Sequence, residues 1–143
     1  MLKIWVVEDN FQQRAEIREA IRSRCKADIL EIATEYDFRV QLEQLESSYP
    51  DIIIIDVMLP WVKPAPNMPE PPEDVKTNSF YRAGIRCLRL ARAKDETKAA
   101  KIIILTNLEQ DDLKEDLDAI DRQEIYFVAK GGYSELLDLM AKP

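Results

Sequence analysis

The sequence predicts an α/β protein: a doubly wound parallel sheet with helices on both faces. Apolar runs alternate with amphipathic stretches along the whole chain, in the order βαβαβαβαβα. Two of the runs, Ile52–Ile55 and Ile102–Leu105, are four consecutive branched apolar residues. Such runs suit strands covered on both sheet faces. At 143 residues, 46% hydrophobic and 33% charged, the chain has the size and balance of one globular domain.

Each element has its own signal. Leu2–Val7 is an apolar run closed by acid, the first strand. Over residues 11–26, Ile17, Ile21 and Cys25 recur every fourth position, which is helical spacing. Asp28–Ala33 is a weaker strand, and Phe38, Leu42 and Leu45 mark a helix over 36–47. Asp51–Asp56 is the third strand. Residues 80–94 read as a helix and Lys101–Thr106 as the fourth strand. Leu113, Leu117 and Ile120 predict a helix over 109–122. Ile125–Ala129 is a fifth strand and Tyr133–Ala141 a last helix. One segment breaks the rhythm, because residues 60–72 hold six of the eight prolines. Proline is excluded from helix interiors and central strands, so about 61–79 is expected to be a long loop inserted in a single domain spanning 1–143. Loops of that length are often functional, and partner binding and a tolerated insertion are both open readings.

Composition removes whole classes of function. There is no histidine, hence no histidine general base, no Ser-His-Asp system and no histidine metal ligand. Three glycines, Gly84, Gly131 and Gly132, build neither a dinucleotide fingerprint nor a Walker loop. Cys25 and Cys87 are too few for a zinc site and read as reduced thiols, with one disulfide as the alternative. The N-terminus carries no long apolar run, so neither a secretory signal nor a membrane partner is expected, and the cytoplasm is favoured. The net charge is −7. Residues 109–124 contribute eight acids against two bases, whereas 80–101 carry seven bases against two acids. Arg82, Arg86 and Arg89 share helical spacing. An acidic protein repels phosphate backbones, so these arginines are read as a solvated face and no direct nucleic-acid partner is expected.

In open parallel sheets, ligands bind beyond the carboxyl ends of the strands. Those ends carry Glu8 and Asp9, Asp56, Thr106 and Lys130. Crowded carboxylates repel unless a cation neutralises them, and hard oxygen ligands suit Mg²⁺. One carboxylate is then placed to accept a phosphoryl group as a nucleophile. Lys130 supplies charge to the phosphoryl oxygens and Thr106 a hydrogen bond.

In Val6-Val7-Glu8-Asp9-Asn10, in Asp51 to Pro60, in Ile104-Leu105-Thr106-Asn107 and in Phe127-Val128-Ala129-Lys130, the chain resembles the response-regulator receiver domains of two-component signalling, chemotaxis response regulators among them. The resemblance covers everything but the 61–79 loop. It implies a flavodoxin-like (βα)5 sheet of order 2-1-3-4-5. It implies Asp56 as the phosphoacceptor, and Glu8, Asp9, Asp56 and the Met58 backbone carbonyl as Mg²⁺ ligands. Thr106 and Phe127 match the switch pair, and Lys130 the lysine that pairs with the phosphoryl group. It implies a histidine kinase or phosphotransfer protein as donor and an output protein whose identity is unknown; the acidic 109–124 segment of this chain points to a basic face on that protein. It implies no enzyme activity beyond Mg²⁺-dependent self-phosphorylation and autodephosphorylation. Two features depart from the family. Lys130 is followed by Gly131-Gly132 rather than proline, and the loop after Asp56 is longer by about twenty residues, enough to lid the site or mask the helix that follows. Family members that lose the phosphoryl group quickly often carry polar residues two beyond Asp56 and Thr106. Met58 and Leu108 stand there, so slow loss is expected. A binding module that works without phosphorylation is the rival reading. A phosphatase with an aspartate nucleophile is disfavoured by Met58, where a second acid would be needed.

Overall fold

The computed structural model describes residues 1–46, 48–63, 66–78, 82–108, 110–118, 120 and 124–143. Five parallel strands form one sheet: β1 (Leu2–Val7), β2 (Ala27–Ile32), β3 (Ile52–Ile55), β4 (Lys101–Thr106) and β5 (Ile125–Ala129). Their order is β2-β1-β3-β4-β5, the order the resemblance implies. The register aligns Val7 with Ile32 and Ile55, Ile55 with Ile104, and Thr106 with Ala129. All carboxyl ends therefore reach one edge.

The strand pleat sorts the isoleucine runs into two cores. Ile53 and Ile55, with Trp5, Val7, Ile102 and Ile104, face α2 (Glu35–Glu43) and α4 (Ala83–Ala93). Ile52 and Ile54, with Ile4, Val6, Ile103 and Leu105, face α1 (Phe11–Arg24) and α6 (Tyr133–Ala141). The four β3 isoleucines are each at most 3% exposed, as a strand covered on both faces requires. Asn10 caps α1 by accepting from the Gln13 N–H, and Thr34 caps α2 by accepting from Asp37 N–H. Cys25 and Cys87 are both free thiols.

Three sequence expectations are corrected. The 61–79 segment is not loop throughout, because α3 (Glu73–Asn78) follows directly on Pro71-Pro72. Proline is tolerated just ahead of a helix, where its missing N–H would have no partner anyway, and the Pro72 carbonyl accepts from Val75 and Lys76. The helix expected over 109–122 is instead a 3₁₀ turn at Gln110–Leu113 and a short α5 (Lys114–Asp118). Residues 109, 119, 121 and 122 of that segment lie outside the described residues, as do residue 123 and residues 79–81 around the start expected for the preceding helix. Finally, Arg86 is not on a solvated face. It is 5% exposed and forks onto Glu35, with Nε at 2.9 Å from Oε2 and Nη2 at 2.7 Å from Oε1. The α4 face bearing it packs inward because Ile85, Cys87 and Leu88 are all in the core.

Gly84 sets how closely α4 approaches the sheet. Its N–H donates to the Val57 carbonyl at 2.8 Å. A Cβ there would meet the Asp56 carbonyl oxygen and sit 2.6 Å from the Val57 Cα. Backbone gives way poorly, so Gly84→Ala is expected to cost roughly 2–3 kcal/mol in urea unfolding. An unchanged midpoint would contradict this packing.

Candidate functional site

The site is built where β1, β3, β4 and β5 end. The parallel ladder runs one residue past each strand: Glu8 N–H donates to the Ile32 carbonyl and Asp56 N–H to the Val7 carbonyl. Arg14 on α1 then pins the acidic turn from below. Its Nη1 donates to the carbonyls of Glu8 at 2.8 Å and Asp9 at 3.1 Å. The sequence reading missed Arg14, although its position one helical turn after the Asn10 cap was a usable signal.

Glu8, Asp9 and Asp56 bring one carboxylate oxygen each within 4.8 Å of one another. Lys130, on the turn after β5, reaches Asp56 Oδ2 at 2.7 Å and Glu8 Oε1 at 3.3 Å. Gly131 allows that turn with φ of 89°, a region that side chains disfavour. Thr106 is buried, and its Oγ1 accepts from the Leu108 N–H at 3.3 Å, leaving its hydroxyl hydrogen to donate. Met58 N–H donates to Asp56 Oδ1 at 3.3 Å. Glu8, Asp9, Asp56, Thr106 and Lys130 therefore come together, with Met58 beside them. Phe127 does not join them; it pairs with Ile104 in the ladder and packs, half-buried, against the α2–α4 core.

Electrostatics follow from the crowding. Burial, a side-chain hydrogen bond with Asp56 and the Asp56 charge push Glu8 up to about 8 from 4.5, against the opposing pull of Lys130. Burial works to lower Lys130, but its bond to Asp56 and the charges of Asp56 and Glu8 outweigh it and hold the ammonium above its usual range. Lys130 thus stays cationic. With Glu8 ionised, three carboxylates and one ammonium leave two negative charges, which is the deficit a hard divalent cation fills. The residues present fit such an ion.

A cavity of about 640 Å³ opens over these groups. Asp9, Asp56, Thr106, Asn107 and Lys130 supply its polar part; Met58, Pro60, Trp61, Val75 and Leu108 supply apolar wall. Trp61 and Val75 belong to the insertion. The insertion is tied down by Pro60 and Trp61 carbonyls accepting from Glu35 and Tyr36, and by Arg39, which bonds both Glu35 and Asp74 at 2.8 Å.

The fold is shared with solved proteins. The chemotaxis response regulator CheY4 of Vibrio cholerae superposes with a TM-score of 0.68 at 17% identity, over 98% of this chain and 96% of its own. The receiver domain of a Pseudomonas aeruginosa sensor histidine kinase, solved with magnesium coordinated in its active-site cleft, gives 0.67 at 21% identity, over 97% and 93%. The phosphorylated cyanobacterial phytochrome response regulator RcpA gives 0.66 at 20% identity, over 96% and 87%. The chain has the receiver-domain fold. No family model and no curated protein matches it in sequence. The 61–79 segment supplies cavity wall beside the acids through Trp61 and Val75. Among the described residues no helix is long and apolar enough to cross a membrane.

A proton on Glu8 stands in for a cation below about pH 8. Binding a divalent ion must release it, so Mg²⁺ affinity is expected to rise about tenfold per pH unit up to that point and then level off. Trp61 fluorescence, titrated with Mg²⁺ from pH 6 to 9, reads this. A pH-independent affinity would contradict the Glu8 assignment.

Proposed function

We propose that the protein is a phosphoacceptor response regulator that takes a phosphoryl group on Asp56 in a Mg²⁺-dependent step. The observation that carries this reading is the placement of Asp56. It is 5% exposed, faces the large cavity, and is bonded at 2.7 Å to the one lysine that also reaches Glu8. Asp56 oxygen forms the new bond to phosphorus. The bond from phosphorus to the donor histidine's nitrogen breaks, and the imidazole leaves with the electron pair. Lys130 transfers its hydrogen bond from the carboxylate to a phosphoryl oxygen, a charge-assisted contact about twice as strong as a neutral one. Thr106 donates its hydroxyl to another. The Met58 N–H orients the Asp56 carboxylate from the other side. A bound divalent cation, held by Glu8, Asp9, Asp56 and the Met58 carbonyl, would neutralise charge on the transferring group.

The donor is a histidine kinase or a phosphotransfer protein, consistent with a chain that has no histidine of its own. The added charge and acceptor oxygens bias a two-state surface through Thr106. Phe127 is the second member of that switch, moving from its present packing beside Ile104. An output protein with a basic face would meet the acidic 109–124 segment. The setting is cytoplasmic, and no separate substrate is turned over.

Incubation with acetyl phosphate and Mg²⁺ is expected to raise the intact mass by one phosphoryl group, and Asp56→Asn to abolish the rise. The adduct should persist for minutes, because Met58 and Leu108 offer no polar side chain to orient a hydrolytic water. No mass increase with any donor would favour a binding module that works without phosphorylation. Loss within seconds would overturn the slow-decay expectation alone.

A further inference from the structure

Phosphoryl transfer places the attacking and leaving groups roughly in line through phosphorus. Asp56 is buried, so the space in front of its carboxylate decides where a leaving group sits. One cavity touching Asp56 holds only about 10 Å³, the space of a single water. The other is the 640 Å³ cavity, within the size range of small-molecule sites. Of these two, the larger has room for a donor. The rest of its lining, Met58, Pro60, Trp61, Val75 and Leu108, is apolar.

The indole of Trp61 is fixed before any donor arrives. Its Nε1 donates to the Pro69 carbonyl at 2.9 Å. Tyr36 packs edge-on at 5.5 Å between ring centroids, and the Arg39 guanidinium lies 5.5 Å from the ring centre. Arg39 is itself held by Glu35 and Asp74, and Glu35 by Arg86. Val75 is 7% exposed, so its side chain is similarly confined. A rigid apolar wall of this kind gains from a flat apolar ring and gains little from a methyl group.

Resting on the phosphoacceptor reading above, we infer that Trp61 and Val75 build a leaving-group pocket, so that among small acyl phosphates Asp56 prefers those whose leaving group carries an aromatic ring. In that step Asp56 oxygen bonds to phosphorus, the P–O bond to the donor's carboxyl breaks, and the aryl carboxylate departs with the electron pair. No oxidant or second reactant is needed.

The test compares benzoyl phosphate with acetyl phosphate, both mixed carboxylic–phosphoric anhydrides, by intact-mass phosphorylation rates under saturating Mg²⁺. The preference is taken as the ratio of the two rates in wild type against the same ratio in Trp61→Ala and, separately, in Val75→Ala. A folding defect lowers both rates and cancels. The wild-type ratio is expected to exceed the Trp61→Ala ratio by about tenfold, with Val75→Ala between them. Equal ratios in all three proteins would overturn the leaving-group pocket while leaving Asp56 a phosphoacceptor. Phosphorylation by neither donor would overturn the phosphoacceptor reading and the pocket with it.

Discussion

Lys130 is the interaction on which the site depends. Glu8 and Asp56 are both almost wholly buried and lie on strands that pair with each other. Two carboxylates in that position repel strongly, since little water screens them. A cation from the far edge of the sheet, at 2.7 Å and 3.3 Å, offsets part of that cost. It arrives there because β5 lies beyond β4 in the sheet and ends level with it, Thr106 facing Ala129. The fold is thus an instrument for bringing residues 8, 56, 106 and 130 to one edge. The balance it reaches is incomplete by design of charge: a proton on Glu8, or a metal ion, must supply the rest. That incompleteness makes the site responsive to a cation and to a phosphoryl group.

A second ionic centre, away from the chemistry, holds the insertion. Glu35 has no measurable exposure, yet it accepts from both Arg86 and Arg39, and Arg39 also bonds Asp74 on α3. Buried ion pairs add little net stability over apolar packing, but breaking one leaves a costly bare charge. Here the consequence is geometric. The network fixes the start of α2, the inward face of α4 and the insertion relative to one another, and α4 in turn lies against the Asp56–Val57 backbone through Gly84. Trp61 and Val75 of the 61–79 segment are thereby held as wall of the site.

Much of this was legible in the residues. Runs such as Ile52–Ile55 announce strands buried on both faces, and the acids that end β1 and β3 are visible because they interrupt apolar runs abruptly. The strand-end logic then gathers Glu8, Asp9, Asp56, Thr106 and Lys130 without any coordinates. What stayed hidden depends on long-range pairing. Arg86 and Glu35 are 51 residues apart, and helical spacing among arginines cannot reveal that one of them is paired inside. α3 was masked by the prolines ahead of it, which forbid helix where they stand but not just after. The acidic 109–122 segment has apolar periodicity, yet its like charges repel at helical spacing, and among its described residues α-helix is confined to Lys114–Asp118. Nothing in the sequence marked Gly84 as the point where α4 meets the Asp56–Val57 backbone.

The central claim is that one charge-deficient site sits at the carboxyl edge of the sheet, and paramagnetic broadening by Mn²⁺ tests it most directly. In an amide-resolved NMR spectrum at pH 8.5, substoichiometric Mn²⁺ should first erase the resonances of Glu8, Asp9, Asp56 to Met58, Thr106, Asn107 and Lys130. Lys3 and Asp51, at the opposite edge, should be untouched. Broadening centred instead on Asp112, Glu115 and Asp118 would show that the ion reads bulk acidity, and would contradict the account.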